Sequence, residues 1–473
     1  MPTEERVPVL RRSLGLADVA LFFVVTGSNL QWVAAAAAAG PSSLPVWLIG
    51  AGLMFLPLSI VVIYLSSHYP DEGGMYMWSK RAFGPFAGFM TGWAYWTSNL
   101  TYFPALLYFA AGNGLFVTGS ASPLAHSAPY FIAFSIGGLT LATILNLLGL
   151  DVAKWLNNVG AVSRWSVTLL LIALGAYAWA RYGPATTIAP ATVRPGFAIK
   201  DLIFWSLVAF AWTGPESISF MAGEVKQPRR SIPLGLAIAA PVIALIYIAG
   251  TVAVLAALKP SLVDPTSGVM QTIGYVANRA GSTLLTPIAA MLVVVSCLGS
   301  CGAWLGAVAR IPFVAGIDRY LPPAFGRMHP RWGSPVAALV SQSAIAAVII
   351  VVGQGGSTVK SAYDILVSST VAVTMFPFLF LFASAFKLYA GEHAPGLLRI
   401  PGGKTTVFVA AATGFLTTAG SLVFALFPAD DEPNKPFAVA KILLLTVLLI
   451  AGGAGVYLAG RRRQQKAAAA AAA

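Results

Sequence analysis

Twelve stretches of about twenty or more predominantly apolar residues run through this 473-residue chain, and they restrict it to a membrane fold. A helix needs about 20 apolar residues to cross a bilayer. On that rule the spans are expected at 15–38, 44–67, 86–117, 128–148, 153–180, 199–222, 232–257, 283–314, 335–353, 362–388, 404–427 and 436–459. Only 10% of the residues are charged and 58% are hydrophobic, against about 25% charged in a soluble globular protein. The lipid bilayer is therefore the first partner.

The net charge of +13 does not signal nucleic acid, because the Lys and Arg residues sit in short loops between apolar runs. There they act as topology signals. Their bias places both termini in the cytoplasm, including the cluster between Arg461 and Lys466. Cys297 and Cys301 lie inside a span and indicate no disulfide framework. No cleavable signal peptide is expected, and no function is read from the seven C-terminal alanines.

The sixth span breaks in its middle. It reads LIFWSLVAFAWTGPESISFMAGEVKQPRRSIP over 202–233. Gly214 and Pro215 are the two poorest helix formers, and Glu216 follows at once. Irregular backbone at that depth survives only where it is buried in protein or lines a cavity, and an intramembrane acid marks a functional site by default. The first span carries Thr26, Gly27, Ser28 and Asn29 at its centre, residues that loosen a helix and compete for its hydrogen bonds. Interrupted spans in corresponding positions of two halves point to a transporter site.

Three stretches resemble the amino acid–polyamine–organocation superfamily of transporters. They are YPDEGGMYMWSKRAFGPFAGFMTGWAYW (69–96), GPESISFMAGEVKQPRRSIP (214–233) and GAVARIPFVAGIDRYLPPAFGRMHPRWGSP (306–335). GLMFLPLSI, DEGGMYMW, FPALLYF and SGVMQTI look like the glutamate/GABA antiporter branch. The resemblance implies an all-α integral membrane protein of LeuT-like fold. Its first repeat, spans 1–5 (15–182), would be mirrored by spans 6–10 (199–388). Spans 11 and 12 (404–459) would be peripheral, with cytoplasmic segments at 1–14 and 460–473. Spans 1 and 6 would line the site together with 3, 8 and 10.

In such a site Thr26, Gly27, Ser28 and Asn29 would hold a substrate carboxylate at the start of a half-helix, where the dipole is positive. Carbonyls of Phe210, Ala211 and Thr213, beside Trp212 and Gly214, would hold an ammonium. Phe210 or Trp212 would close over the substrate, with Trp93, Asn99 and Tyr102 as further wall candidates. Glu216 would carry a proton or bond the unwound backbone. Arg164, mid-way in the fifth span, would stand as a fixed cation where some relatives bind sodium, unless it snorkels to the surface. Glu224, with Lys226, Arg229 and Arg230, would form a cytoplasmic gate with Arg310 and Asp318. Asp18 and Asp364 suit helix N-termini and are assigned no chemistry.

The expected function is sodium-independent amino acid exchange by alternating access. Proton-coupled uptake and polyamine or organic-cation transport are the alternatives. A polycation would need several acids, and Arg164 opposes one. No metal or cofactor motif and no enzyme signature stands out. Without a cysteine between spans 3 and 4, no disulfide-linked ancillary subunit is expected. The compartment expected is a prokaryotic plasma membrane.

Overall fold

The computed structural model describes residues 12–69, 73–118, 123–312, 318, 320–389, 400–428, 432 and 434–472. Among these the chain is helical, and strand-like pairing is confined to one bridge between Leu14 and Val225. Asp71 and Glu72 of the second–third span junction, and Arg319, lie outside the described residues.

Among the described residues, eleven helices are long and apolar enough to cross a membrane. The first is interrupted: α1 (Leu16–Gly27) and α2 (Leu30–Ala39) are separated by extended backbone at Ser28 and Asn29. After α3 (Ser43–His68) comes α4 (Met75–Phe83), a short amphipathic helix between spans. Then follow α5 (Pro85–Gly114), α6 (Ala128–Leu147) and α7 (Leu150–Tyr182).

The sixth span breaks where expected, but it does not resume as α-helix. Helix α8 covers Ile199–Ala211 and stops. The chain turns through Trp212–Glu216 and resumes as 3₁₀ turns over Ser217–Glu224. The thirteen residues of α8 fall short of the roughly 20 that span a bilayer. The remaining helices are α9 (Pro228–Ala257), α10 (Gly268–Arg279), α11 (Leu285–Val308), α12 (Val336–Gln354), α13 (Val359–Lys387), α14 (Gly403–Phe424) and α15 (Lys435–Ala472). The non-spanning α4 and α10 are additions to the expected element list.

Helix α5 is buried along almost its whole length and forms the centre of the bundle. Helices α7 and α11 touch backbone to backbone. A Cβ at Gly160 would stand 2.6 Å from the Gly299 Cα, so glycine at both positions sets the spacing. Helices α14 and α15 lie outermost and expose Val409, Leu416, Leu444 and Leu448, a surface suited to lipid tails.

The residues just before α1 are stitched to the exit of the broken span. Ser13 and Leu14 donate their N–H groups to the Glu224 carbonyl at 3.0 Å, and Lys226 N–H returns a bond to Leu14 O at 3.0 Å. This side of the bundle, the N-terminal face, also carries Arg310, Asp318 and the basic end of α15.

Candidate functional site

The two interruptions lie against each other at the centre of the bundle. Gly214 has φ +131°, which an L side chain rarely adopts, and a Cβ there would meet the Gly27 Cα at 2.7 Å. Ser217 Oγ donates to Thr26 Oγ1 at 3.2 Å and to Gly214 O at 2.6 Å. Tyr247 of α9 donates its hydroxyl to Ala211 O at 2.8 Å and to Gly27 O at 3.2 Å. Free carbonyls from both breaks thus share one phenol, the pairing that buried irregular backbone requires.

A small cavity, of about 30 Å³, opens beside these breaks. Thr26, Asn29 and Trp32 line it from the first span, and Phe210, Ala211 and Thr213 from the broken one. Tyr95, Ser98, Asn99 and Tyr102 contribute from α5, Tyr247 from α9, Trp304 from α11, and Thr370 and Thr374 from α13. None of these side chains is more than 8% exposed, so the cavity is buried within the bundle. None carries a formal charge. The wall divides into an aromatic part, with Phe210 edge-on to Trp32 at 5.6 Å and to Tyr102 at 6.4 Å, and a hydroxyl and amide part.

Two partially charged backbone ends border this space. The first turn of α2 leaves N–H groups without intrahelical partners, and the last turn of α8 leaves carbonyls. Some are already used. Phe210 O accepts Thr213 N–H at 2.9 Å and Thr213 Oγ1 at 2.7 Å, and Ala211 O accepts Tyr247. An ammonium bound at Phe210 O has to displace Thr213. Asn29 donates from Nδ2 to the Tyr102 hydroxyl, while its Oδ1 is buried with no hydrogen-bond partner.

Several residues singled out in the sequence lie elsewhere. Ser28 turns its hydroxyl back to Val24 O at 2.5 Å. Gly27 and Gly214 make the contact between the breaks rather than the wall. Trp212 sits behind Phe210, packed on Phe55 and Tyr247 and donating to Trp47 O at 3.1 Å. Trp93 faces away and donates to Leu449 O of α15 at 2.6 Å. Trp32, Tyr95, Ser98, Tyr247, Trp304, Thr370 and Thr374 were not anticipated. The signals of the last four are faint but present: a lone tyrosine or tryptophan in an apolar run, and two threonines four apart on one helix face.

Glu216 is fully buried behind the wall. Tyr95 donates to its Oε1 at 2.5 Å and Gly214 N–H to its Oε2 at 2.9 Å, so the acid satisfies the broken backbone and touches the cavity only through Tyr95. Arg164 is also fully buried and does not snorkel. Its Nε donates to Ser296 Oγ at 2.7 Å, its Nη2 to Ser300 Oγ at 2.6 Å and Ser296 O at 3.3 Å, and its Nη1 to Val25 O at 3.4 Å. The guanidinium joins α7 to α11 and to the end of α1 through neutral oxygens alone.

Nearer the N-terminal face, Arg310 and Glu224 form a buried ion pair at 2.8 Å. Lys226, Arg229 and Arg230 are exposed. Asp318 pairs with Lys80 at 2.6 Å, and Asp18 pairs with Lys154 at 2.8 Å besides accepting Gly15 N–H at 2.9 Å. Among the described residues no cluster of His, Cys, Asp and Glu is arranged to hold a metal ion.

The family model for amino acid permeases matches residues 15–450, nearly the whole chain. The chain belongs to the amino acid permease family. An uncharacterised transporter of Legionella pneumophila is similar to this permease, with 26% identity over 428 residues covering 90% of this chain and 92% of the relative. An uncharacterised transporter of Mycobacterium tuberculosis is 27% identical over 379 residues, 77% of this chain and 79% of its own. A probable agmatine/putrescine antiporter of Lactococcus lactis is 24% identical over 316 residues, 67% of each chain. The permease is thus a multi-pass membrane transporter of this superfamily.

Proposed function

We propose that this permease exchanges amino acids across the membrane by alternating access, without sodium. The observation that carries the reading is the buried, uncharged cavity bounded by the two broken helices. A zwitterion needs N–H donors for its carboxylate and oxygen acceptors for its ammonium. The start of α2 and the end of α8 supply them from backbone, with no net charge in the wall. Phe210 is the ring that closes over the substrate. The Glu224–Arg310 pair is part of the cytoplasmic gate, and both termini are cytoplasmic. On this reading α8 and the turns after it act as the sixth of twelve spans, 15–182 and 199–388 form inverted five-span repeats, and α14 and α15 are peripheral.

Arg164 supports independence from sodium. It holds α7, α11 and α1 together with a fixed charge that it does not release. A residue that cannot shed a proton favours exchange over proton-driven uptake. Proton coupling through Glu216 is the rival mechanism.

A second reading, exchange of a polyamine or agmatine, draws support from the Lactococcus lactis relative. The cavity speaks against it, because no carboxylate lines the wall and Glu216 is engaged behind Tyr95.

The test is uptake into proteoliposomes of labelled neutral, acidic and basic amino acids, putrescine and agmatine, in sodium-free buffer, with and without unlabelled substrate inside. Uptake of a neutral amino acid that requires internal amino acid is the expected result. Uptake of putrescine or agmatine instead overturns the substrate class. Filling of empty vesicles under a proton gradient overturns exchange.

A further inference from the structure

Helix α15 is much longer than a span needs. It begins at Lys435 on the face opposite the N-terminus, where Lys441 donates to Gly355 O at 2.7 Å and Ser357 Oγ at 2.9 Å in the turn between α12 and α13. At about 1.5 Å per residue, Arg461 lies about 39 Å along the helix and Lys466 about 46 Å. A bilayer with its headgroups is about 40–45 Å thick. Arg461, Arg462, Arg463 and Lys466 therefore emerge at headgroup level on the N-terminal face. All four are exposed, and among the described residues no carboxylate pairs with any of them.

Their arrangement favours a surface over a single soluble ligand. Successive helical residues are about 100° apart and rise about 1.5 Å. The three arginines thus fan over roughly 200° within about 3 Å of height, and Lys466 falls inside the same sector. Gln464 occupies the remaining sector and faces the protein, where its Nε2 donates to the Asp318 carbonyl at 2.8 Å.

That contact lands on a junction. The Asp318 carboxylate accepts hydrogen bonds from Lys80 at 2.6 Å and from the Tyr76 hydroxyl at 2.5 Å, both on α4. One turn or so before the arginines, the Tyr457 ring packs on Tyr320 at 4.8 Å, and Phe89 lies 5.5 Å from each of them. These aromatics form a hydrophobic cluster separate from the main core. The basic end of α15 is thereby fastened to the residue that holds α4.

We propose that Arg461, Arg462, Arg463 and Lys466 dock anionic phospholipid headgroups, and that lipid held there steadies the Asp318 lock on α4 through Gln464. Basic clusters beside the end of a spanning helix attract anionic lipid, and guanidinium groups fit phosphate oxygens in bidentate geometry. A helix end drawn to the headgroups keeps Gln464 against Asp318 and the tyrosine pair closed.

The experiment uses the full chain in nanodiscs of phosphatidylcholine, alone or mixed with phosphatidylglycerol. Retained lipid is counted by native mass spectrometry, and amide hydrogen exchange is followed across Met75–Phe83. Neither readout depends on the transported substrate, so failure here is separable from failure of the transport reading. The wild-type protein is expected to retain phosphatidylglycerol and to show several-fold slower exchange across Met75–Phe83 in its presence. The R461Q/R462Q/R463Q/K466Q variant is expected to lose both effects, and a variant with lysine at the three arginines to keep them. Gln464→Ala is expected to keep the lipid but lose the protection. Retention of phosphatidylglycerol by the glutamine variant overturns the docking surface. Unchanged protection in Gln464→Ala overturns the coupling. Equal protection by inorganic phosphate in phosphatidylcholine nanodiscs overturns the lipid as its source.

Discussion

Arg164 presents four N–H···O contacts and, among the described residues, no countercharge. Burying a cation without a partner is costly, so the residue is retained for what it holds together. Arg164→Ala is expected to slow sodium-free exchange by about tenfold or more, about 1.4 kcal/mol or more of barrier, with partial recovery on adding sodium. A variant that transports normally without sodium would sink the role given to Arg164. Phe210 makes a second prediction at this scale. Its ring meets Trp32 and Tyr102 across the cavity, and aromatic pairs of this kind contribute about 0.5–1.5 kcal/mol beyond burial. Phe210→Ala is expected to raise KM about tenfold with a smaller change in kcat, while an unchanged KM removes the ring from the substrate. Sequence singled out both residues by type and depth, but could not choose between Phe210 and Trp212. Two residues differ by about 200° around a helix, and only the packing of Trp47, Phe55 and Tyr247 on Trp212 decides which ring faces inward.

Between elements, the closest approach is that of the two breaks. Gly214→Ala forces a Cβ to 2.7 Å from the Gly27 Cα at a φ of +131°, and the backbone has to move. Transport is expected to fall below about a tenth of wild type, since misplacement of about 1 Å at a binding site costs on the order of 100-fold. Gly52→Ala, with nothing within 4 Å of its Cβ, is the matched control and should retain transport within about twofold. Equal activity of the two variants would show that the breaks need not touch. The existence of both interruptions was legible in Gly27, Ser28, Asn29, Gly214 and Pro215, because those residues weaken helices locally. The length of the second was not. The span limits of 199–222 did not show how far Gly214 and Pro215, with Glu216 capping the Gly214 N–H, commit the chain to turns.

At the scale of the whole molecule, the N-terminal face carries pairs that join distant segments: Glu224 with Arg310, Lys80 with Asp318, Asp18 with Lys154. The first is the buried one. Glu224→Gln leaves Arg310 without its countercharge and is expected to cost about 3–5 kcal/mol, read as a fall in melting temperature in detergent. Lys226→Gln, at an exposed position, should stay within about 0.5 kcal/mol. Similar stability of the two would deny the buried pair a structural role. The sequence by itself determined the membrane class, the positions of the apolar helices, the two weak points and the ionisable residues buried near them. Apolar length, helix-breaking residues and the cost of intramembrane charge are local properties that need no neighbours. The tertiary structure alone decided that the breaks lie against each other, that Tyr247 bridges them, and that Trp304, Thr370 and Thr374 complete the wall. It also decided that Trp93 turns away to α15 and that Asp18, which suits a helix N-terminus, also pairs with Lys154. Those outcomes depend on which faces of separate helices meet, and a chain of uniformly apolar helices carries little periodicity to say which face that is.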